Sequence, residues 1–407
     1  MKPSRVLALL ALFSSGLAAQ TPPALPAVSS LNEAFAKGQL SLTARLRWES
    51  ADQSGLKDAN AYTLGTRFGF TTAPFNGFQG MIEGDNVASL GDTDDYNASG
   101  TNPGGAGRTV IGDPPATGIN QAWLSYSAAD TLVKAGRQQI NLDNTRFIGD
   151  SAWRQNMQTY DAATVTWRPD KTLNFYYGYV WRVSRPFGNQ APQRDFTGDS
   201  HLINASYAGL PYGKLTAYAY LLDFDDSPAN SSNSFGASFA GSAPVTADFK
   251  LTYRADYATQ EDAGRNPVNY RADYYLLELG GAIKPFTFGA GYEVLGSDDG
   301  KKGFSTPVAS LHPFNGWADM FGATPANGLR DLYFSAGVAL PGGFPLKVAY
   351  HDFESDEGGL DYGSEWDAMI THQIDRNWSV LAELAHFEGK SVYADTDKFW
   401  LWVQFNY

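Results

Sequence analysis

From Gln39 onward, apolar and polar residues alternate with a period of two. That is the spacing of a strand between two environments, not of a helix. In the first run Leu40, Leu42, Ala44, Leu46 and Trp48 share one face, and Ser41, Thr43, Arg45 and Arg47 the other. The pattern returns with Tyr62, Leu64, Phe68 and Phe70 against Thr63, Arg67 and Thr71. It returns again with Leu173, Phe175, Tyr177, Tyr179 and Trp181 against Asn174 and Arg182, and with Phe249, Leu251 and Tyr253 against Asp248, Lys250 and Arg254. Further on, Phe288, Ala290, Tyr292 and Val294 oppose Glu293, and Leu332, Phe334, Ala336 and Val338 oppose Asp331 and Ser335. Over 215–224 either face can serve as the apolar one. About eighteen such segments can be drawn, each near the ~9 to 11 residues with which a tilted strand crosses a bilayer.

The connections sharpen this. Short, turn-forming ones (Pro74 to Gly77, Ala128 to Asp130, Leu210 to Tyr212, Lys284-Pro285, Pro341 to Gly343, Asp375 to Asn377) alternate with long ones over 50–59, 87–118, 141–157, 184–198, 225–233, 258–269, 297–328, 354–360 and 389–396. Tight turns at one end and long loops at the other predict an all-β, transmembrane, antiparallel up-and-down β-barrel with long extracellular loops and short periplasmic turns. With both termini on the short-turn side the strand number must be even. The barrel is expected over 39–407, after a lead-in over 20–38 in which Leu31 to Lys37 forms a helical turn or a short plug.

Targeting agrees. Lys2 and Arg5 precede the apolar run Val6 to Phe13, and small residues follow at 16–19. Residues 1–19 therefore read as a signal peptide. No later run approaches the ~18 to 20 apolar residues of a membrane helix. The chain lacks cysteine, which excludes thiol chemistry and cysteine zinc sites. The formal charge is −13, which argues against nucleic acid as a partner. Five histidines are scattered, with no HExxH and no GxSxG, so neither a metal, a cofactor nor a hydrolase site is expected. Asp92, Asp94 and Asp95 lack the Gly and distal Glu of a calcium loop. The chain ends with Phe399, Leu401, Val403, Phe405 and Tyr407 on one face. That resembles the terminal strand by which the barrel-assembly machinery recognises its clients.

Three blocks carry a family resemblance. The first comprises Asn120 to Leu124, Gly136-Arg137-Gln138 with Asp143 and Arg146-Phe147, and Trp153 to Asn156 running on to Ala162. The second runs from Thr306 through His312, Asn315 to Asp319 and Gly328 to Asp331, and the third is Tyr362 to Ala368. Together they resemble the alginate-export family of outer-membrane barrels. The resemblance implies eighteen strands in the cell outer membrane, contact with its lipid and lipopolysaccharide, and passive passage of an anionic oligo- or polysaccharide of uronate type. A general or substrate-specific porin for small nutrients is the alternative; a membrane-embedded hydrolase and a surface adhesin are further readings.

An anion path needs fixed positive charge in a confined space, where the field is focused. Guanidinium suits sugar carboxylates because it grips them with two parallel bonds. Candidates for the pore lining are Arg45, Arg47, Arg67, Arg137, Arg182 and Arg254, with Arg146 and Arg154 folding in from a loop. Asp143, Asp161, Glu365 and Asp367 are expected to pair with them. The stretch 136–161, dense in Arg, Asp, Asn and Gln, places Arg137 at the expected centre of the constriction. Trp123, Trp153 and Trp317 are candidates for stacking on sugar rings.

Overall fold

The computed structural model describes residues 25–407. The expected signal peptide and the first residues of the lead-in lie outside the described residues. In chain order the strands are β1 (Gln39–Gln53), β2 (Ala59–Thr71), β3 (Phe78–Ser89), β4 (Ala116–Ala128), β5 (Thr131–Gln138), β6 (Thr159–Trp167), β7 (Leu173–Ser184), β8 (Asp195–Leu210) and β9 (Gly213–Leu222). There follow β10 (Ser232–Pro244), β11 (Phe249–Asp262), β12 (Arg271–Ile283), β13 (Phe286–Leu295), β14 (Leu329–Leu340), β15 (Phe344–Glu354), β16 (Asp361–Gln373), β17 (Trp378–Gly389) and β18 (Thr396–Asn406). Every strand pairs with its neighbours in sequence, and β1 pairs with both β2 and β18, so the sheet of 18 strands closes on itself. The closing ladder runs from Thr43 opposite Asn406 to Gln53 opposite Thr396. Closure removes every free sheet edge but those at the rims, which a bilayer requires.

Alternation fixes the faces. Leu46, Phe68, Leu277, Phe334 and Leu401 are exposed on the outer wall, where lipid takes the place of a protein core. On the opposite face of the same strands, Arg47, Thr63, Leu276, Asp331 and Trp402 are buried within the lumen. The ambiguous segment 215–224 is settled by what lies inside. Thr216, Tyr218, Tyr220 and Leu222 face inward and are buried, while Leu215 is exposed on the wall.

The strands run further into the long connections than the apolar pattern predicts. The first long loop shrinks to 54–58 and the second to 90–115. There Asp52 and Gln53 continue the ladder opposite Asp397 and Thr396. Above the membrane the outer face meets water and the inner face packs small residues, Ala51 and Ala59, against Tyr96 and Ile111 of the second long loop, so no strong apolar alternation marks these residues. The helix Leu31–Ala36 is capped by Ser30, whose side chain accepts from the Glu33 N–H. It is no plug: Ala73 donates to Ala34 O at 2.8 Å, and Phe35 stacks on Phe70, which ties it to the short-turn rim beside β2.

Candidate functional site

Two loops fold into the lumen and lock together. The loop over 139–158 leaves β5 just after Gly136, whose φ of 118° and closeness to the Ala122 carbonyl leave no room for a side chain. It crosses to the far wall and drives Phe147 between Tyr218, Tyr220, Tyr274 and Phe304, with ring centroids 5.1–6.2 Å apart. Beside it Arg146, 1% exposed, donates to Glu293 of β13 at 2.6 and 3.2 Å and to Asn315 Oδ1 at 2.7 Å. Ile148 bridges to Val308 of the second loop, 296–328. Tyr160, at the start of β6, donates its hydroxyl to Gly149 O at 2.7 Å. An aromatic wedge with buried polar bonds on its flank fixes the loop as a core would.

The returning half of the loop reaches β1, β2 and β18. Trp153 stacks on His312 at 3.9 Å between centroids, and the Arg47 guanidinium lies 4.5 Å over its ring. Arg154 pairs with Glu49 of β1 at 3.2 Å and with Asp319 of the second loop at 2.6 Å. The Gln155 amide donates to Thr63 Oγ1 at 2.9 Å. The second loop is pinned from the other side: Asn315 donates to Glu293 and Asp331, and the Ala318 N–H to Glu365. The two nitrogens of His312 sit 3.0 Å from Asp319 Oδ1 and 2.9 Å from Glu383 Oε1. Only a doubly protonated ring can donate to both carboxylates. Burial works against that charge, but Asp319 and Glu383 outweigh it and hold the imidazole pKa above its ordinary value. Burial also works against the Asp319 charge, yet His312 and Arg154 hold that carboxyl below its ordinary range.

The sequence-predicted arginines divide into three groups. Arg47, Arg146, Arg154 and Arg254 are inside and neutralised: Arg47 lies 3.4 Å from Glu49 and 3.5 Å from Asp113, and Arg254 lies 2.8 Å from Asp143 and 2.6 Å from Asp256. Arg45 and Arg67 are inside without an ion pair among the described residues. Arg45 donates to Gln404 and to the carbonyls of Ala152 and Trp153, and Arg67 to the Gln155 carbonyl at 3.0 Å. They hold the loop edge through neutral acceptors, with no carboxylate in contact, although Asp85 lies opposite Arg67 on the neighbouring strand. Toward the short turns a polar cavity of about 270 Å³ opens beside Lys134, Asp143, Asn204 and Lys214.

The third group corrects the sequence reading. Arg137, Asp161 and Arg182 do not line the lumen. In β5, Lys134 and Gln138 face that cavity, so Arg137 shares the outer face with the exposed Val133. Its opposite neighbour Asp161, and Arg182 opposite that, fall on the same side. The stretch 136–161 looked uniformly polar, and only the register separates outer from inner residues. Glu365 and Asp367 do face inward but are buried beneath the second loop, with His351 Nε2 3.7 Å from Asp367. Trp153 and Trp317 are taken up by internal packing, and Trp123 by Lys134, whose ammonium lies 4.4 Å over its ring.

Sequence reasoning missed the anchors Tyr218, Tyr220, Tyr274, His312, Asn315 and Asp319 as functional parts. The tyrosine alternation around 218–220 was the available signal for an aromatic inner face. Parts of all three sequence blocks, among them Arg146, Trp153 and Arg154, His312 to Asp319 and Glu365, converge on the joint between the two loops, though they are scattered along the chain.

The family described as alginate export matches residues 40–298. No curated protein matches the chain in sequence. Among solved structures, Pseudomonas aeruginosa OccK9 (OpdG) is 15% identical with a TM-score of 0.74, covering 92% of this chain and 99% of its own. OpdK of the same organism, determined with vanillate, is 16% identical at 0.73, with the same coverage. OccAB2 of Acinetobacter baumannii is 15% identical at 0.73, covering 92% of this chain and 99% of its own. These likenesses give the closed barrel of 18 strands. With the family match over most of the barrel, the chain belongs to the alginate-export family and is an outer-membrane channel.

Proposed function

We propose that the channel passes carboxylate-bearing solutes, from small monocarboxylates to short uronate oligomers, along Arg45 and Arg67. The observation that carries this is the contrast in pairing. Arg47, Arg146, Arg154 and Arg254 each meet a carboxylate of the protein, whereas Arg45 and Arg67 meet only neutral acceptors. A guanidinium with no carboxylate in contact, in a confined, poorly screened lumen, attracts an anion and offers it two parallel bonds. The protein's overall acidity does not oppose this, because charges on the solvated loops are screened within ~8 to 10 Å.

Size favours the shorter solutes. Both loops cross the lumen: the first is bolted to opposite walls by buried ion pairs at Glu293 and Glu49, and the second is held to the wall through Asn315, Ala318 and His312. Vanillate, found with OpdK, is a small aromatic carboxylate. The family's description as alginate export favours a second reading, a long uronate polymer threaded in extended form.

Single-channel recording in planar bilayers tests both. The wild-type channel is expected to prefer anions and to be blocked by uronate oligomers. Arg45→Ala and Arg67→Ala should each lower that preference. Arg67→Lys should keep the preference but weaken the block, because a point charge lacks the fork. A cation-preferring wild type, or Ala variants with unchanged selectivity, would overturn the reading. Transport of long uronate chains at rates like those of short ones would favour the polymer.

A further inference from the structure

The barrel wall has a step at its extracellular rim. The β4–β5 ladder ends where Ala122 meets Arg137, although β4 continues to Ala116. β5 stops there because its chain turns inward as the loop over 139–158. The edge of β4 beyond Ala122 therefore has no neighbouring strand. Side chains from the outer face close it instead. Arg137 donates to Ile119 O at 3.1 Å while gripping Asp161 at 2.7 and 2.8 Å, and Asn189 donates to Thr117 O at 3.1 Å. The N–H groups of Thr117 and Ile119 lie on the same edge, facing the place where β5 would continue. Backbone groups at a membrane boundary must find polar partners.

Next to this edge stands a second set of guanidiniums. Arg182 and Arg194 share one carboxylate, Asp195, at 2.5 and 3.2 Å, with their side chains 39% and 56% exposed and Asp195 at 14%. The Arg182 Nε is buried without an acceptor. Arg182 directly follows Trp181, which is exposed on the outer wall, the position of an interfacial aromatic. This cluster thus sits where the hydrocarbon gives way to headgroups.

We propose that this step docks a phosphate of the outer-leaflet glycolipid, lipid A. Two outward guanidiniums share one carboxylate, which leaves an excess positive charge for a phosphate dianion, and guanidinium meets phosphate bidentately. Sugar hydroxyls of the same headgroup are placed to serve the β4 edge. The inference is independent of what passes through the pore, since every group in it lies outside the lumen.

The test is binding of diphosphoryl and fully dephosphorylated lipid A to the purified channel in detergent, read by native mass spectrometry. Wild type should prefer the diphosphoryl form. Arg182→Ala/Arg194→Ala should lower its affinity about tenfold, the scale of one charge-assisted contact, with unchanged heat-modifiable mobility and pore conductance. If the double variant does not fold, Arg194→Ala alone, at the exposed rim, should still weaken binding. Equal affinity for the two lipids, or variants that bind like wild type, would overturn the proposal.

Discussion

Replacing Arg146 by Met should loosen the constriction from the inside. The side chain is 1% exposed and makes three bonds, two to Glu293 and one to Asn315. Removing one partner of a buried pair costs ~3 to 5 kcal/mol, most of it from the charge left behind. Here Glu293 keeps the Tyr274 hydroxyl at 2.7 Å and the Asn315 amide at 2.7 Å, so the lower end, ~3 kcal/mol, applies. That shifts the balance between docked and undocked loop by about a hundredfold. The Phe147 wedge remains, with each aromatic pair contributing ~0.5 to 1.5 kcal/mol, so the loop stays docked for most of the time. In single-channel records the variant should show frequent brief excursions to higher conductance. Arg146→Met/Glu293→Gln removes the stranded charge as well and should recover much of the quiet baseline, with a coupling that a double-mutant cycle reads directly. If the single variant is as quiet as wild type, or the double variant is as noisy as the single, the buried pair does not hold the loop.

Further outcomes concern the other anchors and the wall. The imidazolium of His312 joins Asp319 to Glu383, and its pKa is raised. Its contribution is therefore full below the ordinary histidine pKa and is lost as pH rises through the elevated value. Conductance fluctuations should grow on the alkaline side, and His312→Gln should abolish that dependence; a flat wild-type profile from acid to alkaline pH would refute it. Arg137→Ala should leave ion selectivity unchanged, because the side chain is on the outer wall, but should lower the temperature of heat-modifiable unfolding; a loss of anion preference would contradict its placement. Deleting Phe405 to Tyr407 removes the exchange between Tyr407 and Leu42, at 2.8 and 3.2 Å, that continues the closing ladder. Membrane-inserted, heat-modifiable protein should fall sharply; normal insertion would speak against the terminal strand's role.

The barrel was legible in the sequence because one physical rule writes it everywhere. Each strand has one side in lipid, so Leu40 to Trp48 and Phe288 to Val294 had to alternate, and the tight turns at 129–130 and 284–285 had to alternate with long loops. The family blocks pointed to the right loops as well, since Arg146-Phe147 and His312 to Asp319 meet in the lumen. Pairing was not legible. Only the Arg47–Glu49 and Arg254–Asp256 pairs are local; Arg146 finds Glu293, and Arg154 finds Glu49 and Asp319, far along the chain. Facing was lost where strand gives way to loop. A single residue of offset moves a side chain from one side of the wall to the other, and the polar run from Gly136 to Asp161 has no apolar alternation to reveal that offset. Only the register opposite Ala122 and Asp161 turns Arg137 outward. Local alternation sufficed to specify the closed wall, whereas the contents of the lumen rest on contacts between separate segments, such as Arg146 with Glu293 and Arg154 with Asp319, which no local pattern encodes.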